Sequence, residues 1–266
     1  MVSLINKAFL KAKNENRPAL LTFTVAGDYT KNKSLEILKS ISNHADICEL
    51  GFPHNTPIAD GGEIQTSSYR AIKNGIKIND VFSIARDFKK VKKNKPIILM
   101  GYYNIIFQYD ENKFINKCKK SKVDGLIVVD LPYPENKTFA AKCKKKGINF
   151  VQLVSPTTSD LRLKKIIKHS HDMIYYISML STTGGKLKVS PKKILKKYSK
   201  IKKQNKSKNV VIGFGITENT IKSLKKADGL VVGSAICKEI SKSVKKRQNT
   251  VKFTTNIVKK LRNKIV

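Results

Sequence analysis

Eight short apolar runs recur along the chain, each bounded by turn residues and separated from the next by a stretch with helical periodicity. They fall at 20–26 (LLTFTVA), 46–51 (DICELG), 96–102 (PIILMGY), 125–131 (GLIVVDL), 149–155 (NFVQLVS), 173–179 (MIYYISM), 209–214 (NVVIGF) and 229–233 (GLVVG). Between them, 34–43, 64–73, 111–120, 135–146, 160–168, 190–202 and 217–226 read as helices, and both termini hold further helical segments. The long gap after the second run predicts an inserted helix. Alternation of this kind marks βα units, so the expected class is α/β, a (β/α)8 TIM barrel with extra N-terminal and inserted helices. No linker or low-complexity stretch interrupts the circuit, and 1–266 is expected to form a single TIM-barrel domain.

In such a barrel the strand C-termini and the loops after them carry the site. The second run ends in Glu49-Leu50-Gly51-Phe52-Pro53, followed by Pro57-Ile58-Ala59-Asp60-Gly61. Period-2 alternation puts Glu49 on the face of Ile47, which should be buried. A buried carboxylate persists either because a partner satisfies it or because its shifted pKa serves proton transfer. Asp60 follows eleven residues later, after a turn rich in Pro, Asn and Gly, placed to reach the same pocket from a loop. Two carboxylates at one strand exit suit acid/base chemistry.

Gly213-Phe214-Gly215-Ile216 closes the seventh run and Gly233-Ser234-Ala235 the eighth, each expected to lead directly into a helix. Glycine permits close approach of backbone N–H groups to phosphate oxygens, helix N-termini supply positive potential, and Ser234 adds a hydroxyl. Either motif alone also serves simply to turn the chain; two at the last strands of a barrel favour phosphate. After the sixth run, Ser178-Met179-Leu180-Ser181-Thr182-Thr183-Gly184-Gly185-Lys186 has the small residues of a closing lid, with Thr183 as a polar contact, or of a plain flexible loop.

Composition removes several alternatives. The formal charge of +35 comes almost entirely from lysine spread over segments that look like solvent faces of helices. Arginine is scarce, and neither a nucleic-acid-binding motif nor an aromatic stacking platform accompanies the lysines, so no specific nucleic-acid partner is expected. Cys48, Cys118, Cys143 and Cys237 are scattered without a C-x-x-C pair, which argues against a zinc site or disulfide framework; His54 is too isolated for a metal ligand. No apolar stretch approaches the roughly 20 residues needed to span a bilayer, and the opening MVSLINKAFLKAKNENR lacks a signal peptide's apolar segment. A cytoplasmic protein without membrane contact is expected.

Several ordered motifs, from LLTFTVAGD at 20–28 to GSAI at 233–236, resemble the α subunit of tryptophan synthase. The specific pieces are ELGFP, PIADG with Gln65 beyond it, PIILMGYYNIIFQY at 96–109, VDGLIVVDLP at 123–132, the TTGG loop, GFGIT and DGLVVGSAI. The resemblance implies retro-aldol cleavage of indole-3-glycerol phosphate to indole and glyceraldehyde 3-phosphate, with no metal and no organic cofactor. It also implies an α2β2 assembly with a β subunit, which alone would bind pyridoxal phosphate. Glu49 would shuttle protons and Asp60 would face the indole N–H. Phe23, Met100, Tyr102, Ile127 and Tyr175 would line the indole pocket with Thr183, while Gly184, Gly215, Gly233 and Ser234 cradle the phosphate. The β subunit would meet Thr56, Tyr102, Asn104 and Pro132, with Asp130 a positioning or interface residue. A lyase that releases indole without a β subunit, and a degenerate barrel that only activates one, are the alternatives.

Departures from the family pattern cluster beside the first motif. His54-Asn55-Thr56 stands where relatives usually carry an aromatic residue, a serine and an aspartate; Thr56 removes a charge used toward the β subunit. Gly62 replaces a common proline, Met100 a common leucine of similar volume, and Ser181 a lid glycine.

Overall fold

The computed structural model describes residues 2–178, 189–213 and 215–266. The positions of Ser181, Thr183, Gly184 and Phe214 therefore lie outside the described residues. Among the described residues, nine strands form one parallel sheet: β1 (Ala19–Val25), β2 (Ile47–Gly51), β3 (Ile97–Gly101), β4 (Gly125–Val128), β5 (Asn149–Phe150), β6 (Gln152–Val154), β7 (Met173–Ile177), β8 (Asn209–Gly213) and β9 (Gly229–Val232). Their spatial order is β5-β4-β3-β2-β1-β9-β8-β7-β6. The two ends of that order are consecutive in the chain, so the fifth apolar run closes the barrel by changing neighbours midway. Its first half pairs with β4 and its second with β7, while the Val151 N–H between them still donates to Leu126 O (2.9 Å).

The strands alternate as a barrel requires. Leu21, Ile47, Ile98, Ile127, Tyr175, Val211 and Val231 fill the interior. Outward residues such as Leu20, Leu50, Leu99 and Ile212 pack under the surrounding helices. Helix α1 (Leu4–Asn14) plugs the N-terminal end with Ile5 and Phe9, and its first turn is capped by the Ser3 hydroxyl, which accepts from Asn6 N–H (3.1 Å). Two helices occupy the gap after β2, α3 (Gly62–Lys73) and the expected insertion α4 (Ile78–Val91). A short helix α5 (Tyr103–Tyr109), which periodicity does not announce, follows β3 directly. The expected helix at 217–226 is instead a turn followed by a 3-10 segment, Ile221–Leu224. Ile221 and Leu224 are three apart, a spacing that buries one face of a 3-10 turn as well as of an α-helix. At the C-terminus, α10 (Ser234–Lys245) packs on α3 and on α11 (Thr250–Asn263).

Candidate active site

Both carboxylates stand at the C-terminal rim, in different settings. Glu49 sits inside β2, flanked across the sheet by Phe23 and Ile98, and is fully buried on the face of Ile47. Among the described residues, four buried side-chain polar atoms have no hydrogen-bond partner, and two of them are the carboxylate oxygens of Glu49. Burial without compensation pushes this carboxyl up from an ordinary 4.5 to about 8. It therefore holds its proton at neutral pH.

Asp60 closes the loop after β2, immediately ahead of α3. Its Oδ2 accepts from the Tyr102 hydroxyl (3.1 Å), which in turn accepts from the Ala59 N–H (3.0 Å). The Gln65 amide donates to Asp60 O (2.8 Å), tying the loop to the first turn of α3. Burial lifts the Asp60 carboxyl to about 6 while the Tyr102 bond pulls it down. The two acids thus differ in proton affinity, as groups with separate acid and base roles must.

Two adjoining cavities connect them. The larger, about 240 Å³, has Glu49 in its wall with Phe23, Ile64, Met100, Tyr175 and Val231. The smaller holds Asp60, Tyr102 and His54 and shares Phe23, Ile64 and Met100 with the first. The sequence expectation puts both acids on one pocket; the structure sets them in two neighbouring chambers with a common apolar wall. Ile127, expected in that wall, is fully buried in the barrel interior and lines neither chamber. Tyr175 depends on a glycine: a Cβ at Gly213 would overlap its ring.

The far end of the larger cavity is polar, lined by Gly215, Thr217, Gly233, Ser234, Ala235 and Lys238. Ser234 opens α10, whose first N–H groups lack intrahelical partners and face an incoming anion with the helix dipole behind them. Gly215 departs from expectation. It has φ +67°, and its loop is tied up by Thr220, whose hydroxyl donates to Gly215 O (2.7 Å) and accepts from Thr217 N–H (2.9 Å). Only the Gly233-Ser234 motif leads straight into an α-helix. Lys238, Glu63 and Ile64 are lining residues that the sequence reading missed. Lys238 lies one turn beyond Ser234 on the same helical face, which is the signal that would have found it.

Beside the site, three loops are stitched together. Asp130 Oδ1 accepts from Tyr103 N–H (2.7 Å) at the start of α5, so this acid positions the helix bearing Asn104. Thr56, Asn104 and Pro132 are exposed, and so are two large apolar side chains, Ile58 (74%) on the loop after β2 and Phe107 (63%) on α5.

Comparison with known proteins fits this geometry. A sequence model described as tryptophan synthase alpha chain matches residues 9–266. The chain belongs to the tryptophan synthase alpha chain family. It is 76% identical over 264 residues to the tryptophan synthase alpha chain of Pelagibacter ubique strain HTCC1062, covering 99% of this chain and 100% of that one. Among solved structures, subunit alpha from Legionella pneumophila strain Paris superposes with a TM-score of 0.91 at 30% identity, covering 100% and 99% of the two chains. A chain of a structure described as the basis of mutual activation of the tryptophan synthase α2β2 complex from Pyrococcus furiosus gives 0.78 at 34% identity over 91% and 97%. Tryptophan synthase alpha is a carbon–carbon lyase of tryptophan biosynthesis, cleaving indole-3-glycerol phosphate to indole and glyceraldehyde 3-phosphate. Among the described residues no cluster of three or more His, Cys, Asp or Glu could hold a metal ion, and no helix is long and apolar enough to cross a membrane.

Proposed function

We propose that Glu49 and Asp60 carry this cleavage, with Glu49 as the proton carrier and Asp60 as the carboxylate facing the indole N–H. The observation behind it is the Glu49 carboxyl, buried in a cavity wall with neither oxygen engaged. Protonated at neutral pH, it delivers its proton to the indole carbon bonded to the side chain. Positive charge then develops on the ring nitrogen, and ionised Asp60, oriented by Tyr102, stabilises it. As the carbon–carbon bond breaks, its electrons return to the ring. The Glu49 carboxylate takes the proton of the adjacent hydroxyl as the aldehyde forms, and the acid is regenerated.

Phe23, Met100 and Tyr175 supply the apolar walls for the indole. The phosphate lies at the α10 N-terminus against Gly233 and Ser234, with Gly215 opposite and the Lys238 ammonium nearby. Thr183 and Gly184, which lie outside the described residues, are assigned to the same site by the family resemblance alone. This reading keeps the chain in the cytoplasm with no metal or organic cofactor of its own, and leaves pyridoxal phosphate to a β subunit. Thr56, Asn104 and Pro132, with exposed Ile58 and Phe107, form the face that meets it. Thr56 brings no charge to that contact.

Indole release from indole-3-glycerol phosphate, measured with and without a cognate β subunit, tests the reading. Release that rises strongly with β is the expected result. Equal release by the isolated chain would assign a standalone lyase, and none in either condition would leave a barrel that only binds.

A further inference from the structure

Behind the site, one guanidinium joins the two helices that carry its opposite ends. Helix α3 starts just after Asp60, and α10 starts at Ser234 on the phosphate side. Ile64 of α3 and Cys237 of α10 pack with Phe23 in one buried cluster, against which Met100 rests. Farther from the cavities, the Arg70 side chain engages all three of its nitrogens. Nε and Nη2 donate to the two oxygens of Asp28 in the loop after β1 (2.7 and 3.0 Å), and Nη1 donates to the Ser241 hydroxyl of α10 (2.9 Å). Nη2 also reaches Ser67 Oγ, one turn back on α3 (3.3 Å). Ser241 lies seven residues beyond Ser234, two turns along the same face of α10. Asp28 and Ser241 are buried, and none of Asp28, Arg70 and Ser241 lines either chamber.

We propose that Arg70 is a positioning residue for the cleavage: anchored on Asp28 and bonded to Ser241, it fixes α10 against α3 and so sets the span between the phosphate and indole ends of the site. A substrate held at both ends reacts only when that span matches it, and a displacement of about 1 Å far from the chemistry costs up to about 10²-fold in rate. The planar guanidinium is suited to this task, since its donors point in fixed directions to two elements at once. A lysine ammonium is a point charge on a flexible stem and does not replace it. The proposal rests on the assignment of the phosphate to the α10 N-terminus and of Asp60 to the indole N–H.

The test measures kcat and KM for indole-3-glycerol phosphate, and the inhibition constant of glycerol 3-phosphate, in wild type, Ser241→Ala, Arg70→Lys and the double variant, each with the cognate β subunit. Glycerol 3-phosphate fills only the phosphate end, so its inhibition constant should stay within about twofold of wild type throughout. The substrate spans both ends. Ser241→Ala should lower kcat about tenfold, because the indole then sits out of line with Glu49 and Asp60, and Arg70→Lys should lower it at least as much. In Arg70→Lys the Ser241 hydroxyl has already lost its partner, so the double variant should match that single variant. A tie that served stability alone would lower the melting temperature and leave the kinetics of folded protein unchanged. That result for Ser241→Ala would overturn the proposal, and so would a further loss of about tenfold in the double variant. Failure of glycerol 3-phosphate to compete in wild type would instead remove the phosphate assignment, and the proposal with it, which separates the two failures.

Discussion

Asp46, just ahead of β2, and Glu49, at the middle of that strand, stand three residues apart, both buried carboxyls, and they are treated in opposite ways. Asp46 sits at the N-terminal end of the barrel. It accepts two bonds from the Arg17 guanidinium (2.7 and 2.9 Å), one from Arg262 (2.7 Å) and one from Leu20 N–H (2.7 Å). Although burial raises its pKa, those partners outweigh it and hold the carboxyl below its ordinary range. Glu49, in the wall of the larger cavity, has burial alone. The carboxyl ahead of the strand is bound by charged partners from the segment before β1 and from α11, and the one within it keeps its proton beside a cavity.

Exchanging function for fold at each carboxyl should break this contrast most sharply. Glu49→Gln removes the transferable proton and preserves shape, so kcat should fall by about 10²–10⁴-fold, the usual worth of a general acid–base group, with no loss of thermal stability. Asp46→Asn should do the reverse. It leaves the buried Arg17 guanidinium with only the half-exposed Glu15 carboxylate as charge partner, and urea unfolding should report a loss of about 3 kcal/mol, while protein that remains folded keeps its kcat.

The two acids also give stability opposite pH signs. The Glu49 carboxyl binds its proton more tightly folded than unfolded, so the stability it contributes is complete below about 4.5 and is lost as pH rises toward 8. Asp46 is held down, so its contribution is present above its ordinary 3.8 and is lost as pH falls. Melting curves across pH should show the alkaline loss abolished in Glu49→Gln and the acid loss reduced in Asp46→Asn. In activity, kcat/KM should form a bell. Its acid limb should lie near pH 6, where Asp60 must ionise, and its alkaline limb near 8, where Glu49 loses the proton it must deliver. The smallest expected effect is at the phosphate end. Lys238 is exposed and partly screened, so Lys238→Ala should raise KM by about two- to fivefold and leave kcat in place.

Much of this was legible along the chain because barrel strands alternate. Glu49 was found because it continues the face of Ile47, and the eight runs located every strand to within a few residues. The break at Val151 left no trace, since a change of hydrogen-bonding neighbour needs no change of side chain. Helix α5 was hidden because its short run, Tyr-Asn-Ile-Ile-Phe-Gln-Tyr, buries only Ile106 and shows no full amphipathic period. At the site, the partition of the two acids between neighbouring chambers and the bond from Tyr102 to Asp60 depend on long-range packing. Neither has a local signature. Ile127 is in register with Met100, yet it is buried in the barrel interior and lines neither chamber, a difference that register alone does not announce.

The central claim is that Glu49 holds its proton at neutral pH because nothing in the fold compensates its burial. Carboxyl NMR on protein with labelled glutamate, titrated beside Glu49→Gln to assign the resonance, measures this directly. The account predicts one glutamate titrating near 8 and missing from the variant. A Glu49 resonance titrating near its ordinary 4.5 would mean the carboxyl is ionised at neutral pH, and the proton carrier would have to be sought elsewhere.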